Sequence, residues 1–284
     1  MTNALHLART KGHHVSESVT PRKIRTHTLR DFKKEGRAIT MLTSYDTLSA
    51  SIFDEAGIDV LLVGDSAGNT VLGYDSTVYT THEDIVRFTG AVARSCERPL
   101  VLADLAFGTY QVSVEEAVRH GVELMQAGAQ AVKLEGGREV LPQVEALVRA
   151  GIPVCGHLGF TPQSVNQLGG FKVQGRGEKA DALLADAVAL QEAGAFAVVL
   201  ELVPAPLAAR VTETLDVPTI GIGAGAGCDG QVLVWQDMAG LSGFKPRFVK
   251  AFADLRSNLM RAACEYGDAV RAGEFPSPEH TFEK

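Results

Sequence analysis

QAGAQAV, at residues 126–132, joins the end of a helical pattern to a short apolar run through a single glycine. Similar phrases occur three more times, as EAGIDV at 55–60, RAGIPV at 149–154 and EAGAFAV at 192–198. In each phrase the glycine stands where the left-handed residue that ends a helix is expected. The irregular spacing excludes a solenoid repeat and indicates the helix-to-strand connection of repeated β/α units.

Eight short apolar runs alternate with amphipathic stretches along the chain. Most runs are continuous in Val, Ile and Leu, which is typical of parallel strands buried on both faces. The runs lie at 38–45, 59–64, 99–105, 131–134, 153–158, 197–202, 218–223 and 231–236. Helical spacing of apolar residues is found between them, at 47–55, 114–126 and 181–192. The count predicts an α/β protein with a (β/α)8 TIM barrel, and a doubly wound open sheet is the alternative.

The domain organisation predicted from these patterns is simple, because no interdomain linker interrupts them. Residues 1–22 are predicted to be a flexible basic arm, and residues 23–284 a single catalytic barrel. The stretch 244–273 is predicted to be a long helix that closes the fold. The arm has no aromatic residues interleaved with its positive charges, so we expect a solvated or packing segment rather than an RNA-binding tail.

Composition narrows the class of protein. Of 284 residues 45% are hydrophobic, which excludes wholesale disorder. The net charge of −7 makes nucleic acid a poor partner. The sequence has no secretory signal pattern and no apolar run long enough to cross a bilayer. Its four cysteines lack zinc-site spacing, so we predict a cytoplasmic protein with reduced thiols.

Ionisable residues mark the end of five successive predicted strands, where barrel enzymes place their catalytic groups. In chain order they are Asp65 with Ser66 beside it, Asp104, Lys133 with Glu135, His157 and Glu201. One such carboxylate is explained equally well by a structural salt bridge. Four carboxylates at one barrel mouth would repel each other, and a divalent cation is their natural neutraliser. Oxygen ligands favour Mg²⁺, Mn²⁺ or Ca²⁺ over zinc.

The remaining features leave more than one interpretation. Lys133 and Glu135 are two residues apart on a strand and so face the same side, where the lysine is suited to hold an anionic group such as that of an α-keto acid. His157 fits a hydrogen-bonded core histidine as well as a catalytic one. Residues 162–177 are predicted to be a long functional loop. GIGAGAG at 221–227 is a partial dinucleotide fingerprint, and we favour a turn that lets backbone approach a substrate.

With these residues assembled, the sequence resembles the ketopantoate hydroxymethyltransferase family over residues 23–280. The resemblance is carried by MLTSYDTLSA, LLVGDSAGNTVLGYDST, VLADLAFGTY, AVKLEGG, GHLGFTPQSVNQLGGFKVQGRG, the Glu201 strand and PTIGIGAGAGCDGQVLVWQDM. It implies a (β/α)8 barrel of the phosphoenolpyruvate mutase/isocitrate lyase-like type. It also implies Mg²⁺-dependent transfer of a hydroxymethyl group from 5,10-methylenetetrahydrofolate to 3-methyl-2-oxobutanoate. The product is 2-dehydropantoate, formed through an enolate at C3 in pantothenate and coenzyme A biosynthesis.

The same resemblance implies roles for individual residues. One Mg²⁺ per subunit would be bound at Asp65, Asp104 and Glu135. The keto acid would contact Asp65, Ser66, Asp104 and Lys133. Glu201 would accept the proton, and His157 would lie near the substrate without an assigned role. The family also implies a homo-oligomer, commonly a decamer, while the folate-binding residues stay unassigned, with the 162–177 loop as the expected place.

Two other functions compete with this hypothesis. A Mg²⁺-dependent lyase or mutase of the phosphoenolpyruvate mutase/isocitrate lyase type shares the barrel and the metal, but would act without folate. A non-catalytic metal- or nucleotide-binding barrel is disfavoured because a binding module needs no base. Folate-dependent product formation separates the three hypotheses.

Overall fold

The computed structural model describes residues 22–243 and 245–282, so nearly all of the predicted arm lies outside the described residues. Eight parallel strands form a closed barrel in chain order, with β8 paired to β1. They are β1 Ile39–Thr43, β2 Val60–Val63, β3 Leu100–Asp104, β4 Ala131–Glu135, β5 Val154–Gly159, β6 Ala197–Glu201, β7 Thr219–Ile222 and β8 Gly230–Leu233. The closed pairing confirms the (β/α)8 barrel and excludes the open sheet.

Helices follow the strands and cover the outside of the barrel. They are α1 Thr26–Lys34, α2 Thr47–Glu55, α3 Ala67–Thr70, α4 His82–Ala93, α5 Val114–Ala127, α6 Leu141–Arg149, α7 Val165–Leu168, α8 Lys179–Glu192, α9 Ala205–Thr214, α10 Trp235–Met238 and α11 Leu255–Ala272. Short 3-10 turns lie at Thr77–Tyr79, Arg138–Val140, Pro162–Ser164 and Pro278–His280. None of the helices in the described ranges is long and apolar enough to cross a membrane.

The alternation of side chains along each strand separates two cores. Apolar residues that face the inside of the barrel, such as Leu100, Leu102 and Val199, form one buried cluster. Residues that face outward pack against the helices in another. At the carboxyl ends of β2 to β6, or directly after them, polar side chains replace the apolar ones. On β3 to β6 these groups continue the inward-facing rows, as Asp104, Lys133 with Glu135, His157 and Glu201.

Helix α1 seals the barrel at the end opposite to these groups, a feature that the sequence analysis did not predict. Leu29 and Phe32 are buried in the same cluster as the inward-facing strand residues. Lys33 Nζ donates to the carbonyl oxygen of Thr212 at 2.7 Å and to Asp229 Oδ2 at 2.9 Å. These contacts fix α1 against this end of the barrel.

The glycines of the recurring phrase have the backbone conformation that the sequence predicts. Gly128 and Gly194 have φ values of 113° and 100°, which favour glycine. A Cβ at Gly128 would lie 2.5 Å from the Cβ of Ala93. Close packing of the helix-to-strand turn therefore also requires a residue without a side chain.

The C-terminal helix differs from its prediction. The 244–273 stretch was expected to close the fold, but α11 begins at Leu255 and none of its residues is buried. Its apolar residues Leu255, Leu259, Tyr266 and Val270 are between 37% and 61% exposed. The prediction was wrong because an amphipathic pattern shows that a helix has an apolar face, but not which surface covers that face.

Candidate active site

A cavity of about 700 Å³ opens at the carboxyl ends of the strands. All seven residues that the sequence analysis proposed line it: Asp65, Ser66, Asp104, Lys133, Glu135, His157 and Glu201. Apolar side chains, among them Val199, Ile222 and Val232, line another part of the wall. The cavity therefore combines a charged surface with an apolar one, as small-molecule sites usually do.

Asp104 and Lys133 face each other across β3 and β4, where they are register partners. Lys133 Nζ lies 2.8 Å from Asp104 Oδ1, and both side chains are buried. Burial by itself lowers the pKa of Lys133, but the charges of Asp104, Glu135 and Asp65 outweigh burial and hold that pKa above its ordinary value. The ammonium group therefore stays charged at neutral pH.

His157 lies between two glutamates. Its Nδ1 is 3.2 Å from Glu135 Oε1 and its Nε2 is 3.3 Å from Glu201 Oε2. Burial and the nearby charge of Lys133 lower the pKa of His157, which favours the neutral imidazole. Burial raises the pKa of Glu201 above its ordinary value, against the opposing contact with His157. A carboxylate with a raised pKa is a stronger base once it is ionised.

Gln163 connects the charged groups and was missed by the sequence analysis. Its side-chain Nε2 donates to Asp65 Oδ2 at 2.9 Å and to the carbonyl oxygen of Leu105 at 3.0 Å. Its backbone N–H donates to Glu135 Oε2 at 2.9 Å, and its Oε1 accepts from Tyr110 at 2.8 Å. No spacing rule relates one glutamine after β5 to one carboxylate after β2 and another on β4, so only the folded chain identifies it.

Replacing Gln163 with alanine is expected to lower the free energy of unfolding by about 1–3 kcal/mol, because buried polar groups lose their partners. Tyr110 would lose a hydrogen-bond acceptor and Asp65 a donor. Urea denaturation measures the change. Gln167→Ala, at an exposed position in the same segment, is the matched control. Equal unfolding free energies for the two variants would contradict the bridging role.

Three carboxylates give the cavity an excess of negative charge. Burial, and then repulsion from Asp104, raise the pKa of Asp65 well above its ordinary value. Burial also raises the pKa of Glu135, to about 7, although Lys133 acts against it. Such shifts are expected where several like charges share a buried site with a single lysine.

The donor set fits a hard divalent ion. Each of the three carboxylates has one oxygen held by a protein N–H group. The other oxygens of Asp104 and Glu135 are buried and face Lys133 Nζ at 2.8 Å and His157 Nδ1 at 3.2 Å, respectively. The three side chains do not form a compact three-ligand cluster, since the one group of three ligand atoms within 4.8 Å of each other in the described ranges lies elsewhere. Mg²⁺ is commonly bound by one or two carboxylates, with water and substrate oxygens completing its shell.

The backbone beside Glu201 is tightly constrained. Gly159 has a φ of 96°, and a Cβ there would lie 2.1 Å from the carbonyl oxygen of Glu201. The N–H of Phe160 donates to that oxygen at 2.8 Å. Leu202, the next residue after Glu201, has a φ of 48°, in the left-handed region. Strained backbone is commonly found at functional sites, and here it fixes the end of β6.

The two glycine-containing segments differ in their relation to the cavity. The 162–177 loop supplies Pro162, Val165, Asn166 and Phe171 to the wall, which places it at the mouth as predicted. In the 221–227 stretch only Ile222 lines the cavity, and Gly223 and Gly225 form a turn with φ values of 64° and 83°. The predicted turn is present, but its glycines do not line the cavity, so the expected approach of their backbone to a substrate is not observed.

Fold and site together define a (β/α)8-barrel enzyme with an acidic, lysine-containing mouth. Among solved structures the chain is similar to a phosphoenolpyruvate phosphomutase from Streptomyces platensis subsp. rosaceus, with a TM-score of 0.60, 16% identity and coverage of 89% of this chain and 92% of that chain. It is also similar to a 2,3-dimethylmalate lyase of the phosphoenolpyruvate mutase/isocitrate lyase superfamily, with a TM-score of 0.55, 16% identity and coverage of 89% and 92%. At this identity the likeness establishes the fold alone, and it confirms the predicted barrel type.

Sequence comparison identifies the family. The profile of the ketopantoate hydroxymethyltransferase family matches residues 23–278, and the chain belongs to that family. A 3-methyl-2-oxobutanoate hydroxymethyltransferase from Saccharopolyspora erythraea is 59% identical over 264 residues, covering 92% of this chain and 90% of the relative. One of the same name from Rhodococcus jostii is 55% identical over 269 residues, covering 94% and 93%. These matches confirm the family and the enzyme class inferred from the sequence.

Proposed function

We propose that this enzyme transfers a hydroxymethyl group from 5,10-methylenetetrahydrofolate to 3-methyl-2-oxobutanoate, giving 2-dehydropantoate. The relatives' name supplies the acceptor, and the observation that carries the proposal is the meeting of Glu201, Lys133 and three carboxylates in one cavity.

We also propose that residues 1–22 form an arm and that residues 23–284 form one catalytic barrel. The four cysteines are free, which supports a cytoplasmic location.

Asp65, Asp104 and Glu135 are the residues that would hold one Mg²⁺ per subunit. When bound, the ion would polarise the carbonyl oxygen of the keto acid and stabilise negative charge on it. Ser66 contributes a hydroxyl group at the same edge, held at 2.7 Å from the hydroxyl of Tyr45. We assign the keto acid contacts to Asp65, Ser66, Asp104 and Lys133.

The chemical problem is to remove a proton from C3 of the keto acid, a carbon that carries two methyl groups. We assign the acceptance of this proton to Glu201, and the raised pKa that burial gives this residue supports the assignment, because it makes the ionised form a stronger base. The charge of Lys133 stabilises the negative charge that develops on the substrate. Val199 and Val232 provide an apolar surface suited to the two methyl groups.

The transfer step consumes one water molecule. C3 and the water oxygen each form a bond to the methylene carbon of the folate, and both bonds from that carbon to the folate nitrogens N5 and N10 break. The two nitrogens take up the proton removed from C3 and one proton of the water, which gives tetrahydrofolate. We assign the folate side of the cavity to the 162–177 loop, where Phe171 is half exposed and its ring centroid is 4.7 Å from that of Phe160.

Formation of 2-dehydropantoate, measured with and without 5,10-methylenetetrahydrofolate, tests the proposal. We expect product only when the keto acid, the folate and Mg²⁺ are all present. Folate-independent cleavage of a 2-hydroxy or phosphono acid would favour the lyase or mutase alternative. Absence of any turnover would favour a binding protein. The likeness to lyases and mutases concerns the fold alone, so no observation of the site favours them.

The assembly is proposed to be a homo-oligomer, with the decamer as the expected size. The observation that supports it is the apolar face of α11, on which Leu255, Leu259, Tyr266 and Val270 recur at helical spacing and are exposed. We propose that a second copy of this chain covers that face, because apolar stripes of this kind are normally buried.

Leu259→Glu is expected to reduce the mass of the particle in solution, because it places a charge in the middle of the stripe. Light scattering coupled to size-exclusion chromatography measures the mass. Ser257→Glu introduces the same charge on the opposite side of α11 and is expected to leave the mass unchanged. A wild-type chain that is monomeric, or equal masses for the two variants, would contradict the assignment of this face.

A further inference from the structure

A second cluster of metal-ligating side chains lies away from the cavity, between α4 and α5. It consists of His82, at the start of α4, and of His120 and Glu123, one turn apart on α5. Each can offer one ligand atom such that the three atoms lie within 4.8 Å of each other. Among the residues of 22–243 and 245–282, no other group of three His, Cys, Asp or Glu meets this condition.

The hydrogen bonds of His120 leave one ring nitrogen available to a metal. Its Nδ1 faces two carbonyl oxygens, those of Thr109 and Glu116, each at 2.9 Å. Because carbonyl oxygens only accept hydrogen bonds, Nδ1 carries a proton, and in the neutral ring the lone pair is therefore on Nε2. Metal-binding histidines are typically oriented in this way, with the second nitrogen donating to a backbone carbonyl.

His82 and Glu123 supply the other two ligands. His82 Nε2 lies 2.7 Å from Glu123 Oε2, and the His82 and His120 rings have centroids 4.4 Å apart. The His82 side chain is only 10% exposed, and its Nδ1 is buried without a hydrogen-bond partner. Burial lowers the pKa of His82, which favours the neutral form that binds metals. Glu123 is 43% exposed, which gives an ion a path from solvent.

We propose that His82, His120 and Glu123 form a Zn²⁺ site, with a water molecule as the fourth ligand. Two imidazole nitrogens and one carboxylate oxygen are a ligand set that Zn²⁺ commonly takes, whereas Mg²⁺ prefers oxygen alone. Zn²⁺ takes neutral imidazoles and an ionised carboxylate as ligands, so its binding favours these forms of the three side chains. When His82 Nε2 binds the ion, the ring proton that this nitrogen shares with Glu123 moves to Nδ1. Protonation of the ligands in acid competes with the metal, and Zn²⁺ affinity therefore falls at low pH.

The proposed site lies close to two loops at the rim of the cavity. His82 follows Thr80 closely, and the Thr80 hydroxyl donates to the carbonyl oxygen of Asp65 at 2.8 Å. His120 Nδ1 donates to the carbonyl oxygen of Thr109, and the hydroxyl oxygen of the next residue, Tyr110, lies 2.9 Å from the carbonyl oxygen of Glu135. Zinc would thus join the two loops that carry parts of the cavity rim, and stabilise the folded chain by mass action.

The test uses the full-length, untagged chain, with His6, His13 and His14 replaced by asparagine to remove other imidazoles near the N-terminus. The metal-stripped protein is titrated with Co²⁺ and then Zn²⁺ in excess Mg²⁺, which occupies the carboxylates of the cavity. We expect one equivalent of Co²⁺ with visible absorption bands typical of a site of low coordination number, displaced by Zn²⁺. We also expect a higher melting temperature with Zn²⁺.

Two variants and one control locate the ion. Glu123 is half exposed, and Glu123→Gln preserves the shape of the side chain. This variant and His120→Gln are each expected to weaken Zn²⁺ binding by about a hundredfold or more, beyond the roughly tenfold to hundredfold effect of losing an outer-shell partner. His27→Gln, on the exposed side of α1, is expected to change nothing. Absence of Co²⁺ bands in the parent protein, or bands that survive in both variants, would overturn the proposal.

Discussion

Glu201→Gln is expected to slow exchange of the C3 proton of 3-methyl-2-oxobutanoate with D₂O by roughly a hundredfold to ten-thousandfold, the range typical of losing a positioned base. The substitution preserves size and polarity but removes the basic oxygen. Exchange is followed by NMR with enzyme and Mg²⁺ in the absence of methylene donor, because proton removal does not need the second substrate. Metal and keto acid should still bind.

Glu213→Gln is the matched control, since Glu213 is exposed on α9, outside the cavity. Exchange that persists in Glu201→Gln would move the base elsewhere, and His157, 3.3 Å from Glu201 Oε2, is the first candidate. If the wild-type enzyme exchanges only slowly, the measurement is repeated with tetrahydrofolate bound, because a second ligand can complete a site. A wild-type enzyme that neither exchanges with folate bound nor forms product would contradict the transferase mechanism.

Asp104→Asn is expected to reduce Mg²⁺-dependent kcat/KM by about a hundredfold or more, since the loss of a ligand should exceed the effect of losing an outer-shell partner. The asparagine oxygen can still accept the Asp65 N–H, but the charge opposite Lys133 is lost. Mn²⁺ binding, followed by electron paramagnetic resonance of the free ion, measures the metal site without turnover. Unchanged Mn²⁺ affinity and unchanged Mg²⁺ dependence would show that Asp104 is not a ligand.

Asparagine is preferable to alanine at this position for a structural reason. Asp104→Ala would leave a buried Lys133 without its closest partner, and breaking a buried ion pair in this way costs about 3–5 kcal/mol. A loss of activity in the alanine variant would then mix unfolding with loss of metal. Asp181→Asn is the control, because the Asp181 side chain is 87% exposed and lies on α8.

The barrel and the charged end of its interior could be predicted because both follow from local periodicity. Continuous apolar runs separated by amphipathic helices specify buried parallel strands. The parity of positions along β3, β4 and β6 then requires that Asp104, Lys133, Glu135 and Glu201 face the same interior as the apolar residues before them. Each step concerns residues close together in the chain, and for this reason no knowledge of the tertiary structure was needed.

Contacts between segments far apart in the chain could not be predicted from the sequence. Gln163 reaches Asp65 across 98 positions, and Lys33 of α1 reaches Asp229 across 196. His82 and Glu123 meet across 41 positions because α4 and α5 pack side by side. No periodicity in the sequence encodes such pairs, since they depend on how complete elements stack around the closed barrel.

The sequence by itself determined the succession of strands and helices along the chain, the glycine turns and the set of ionisable groups at the strand ends, because hydrophobic period and backbone preference act over a few residues. Only the tertiary structure decided that His157 lies between Glu135 and Glu201, that Gln163 joins the carboxylates, and that α11 leaves its apolar face exposed. These outcomes depend on distances between segments that meet only when the barrel closes, and packing in three dimensions sets those distances.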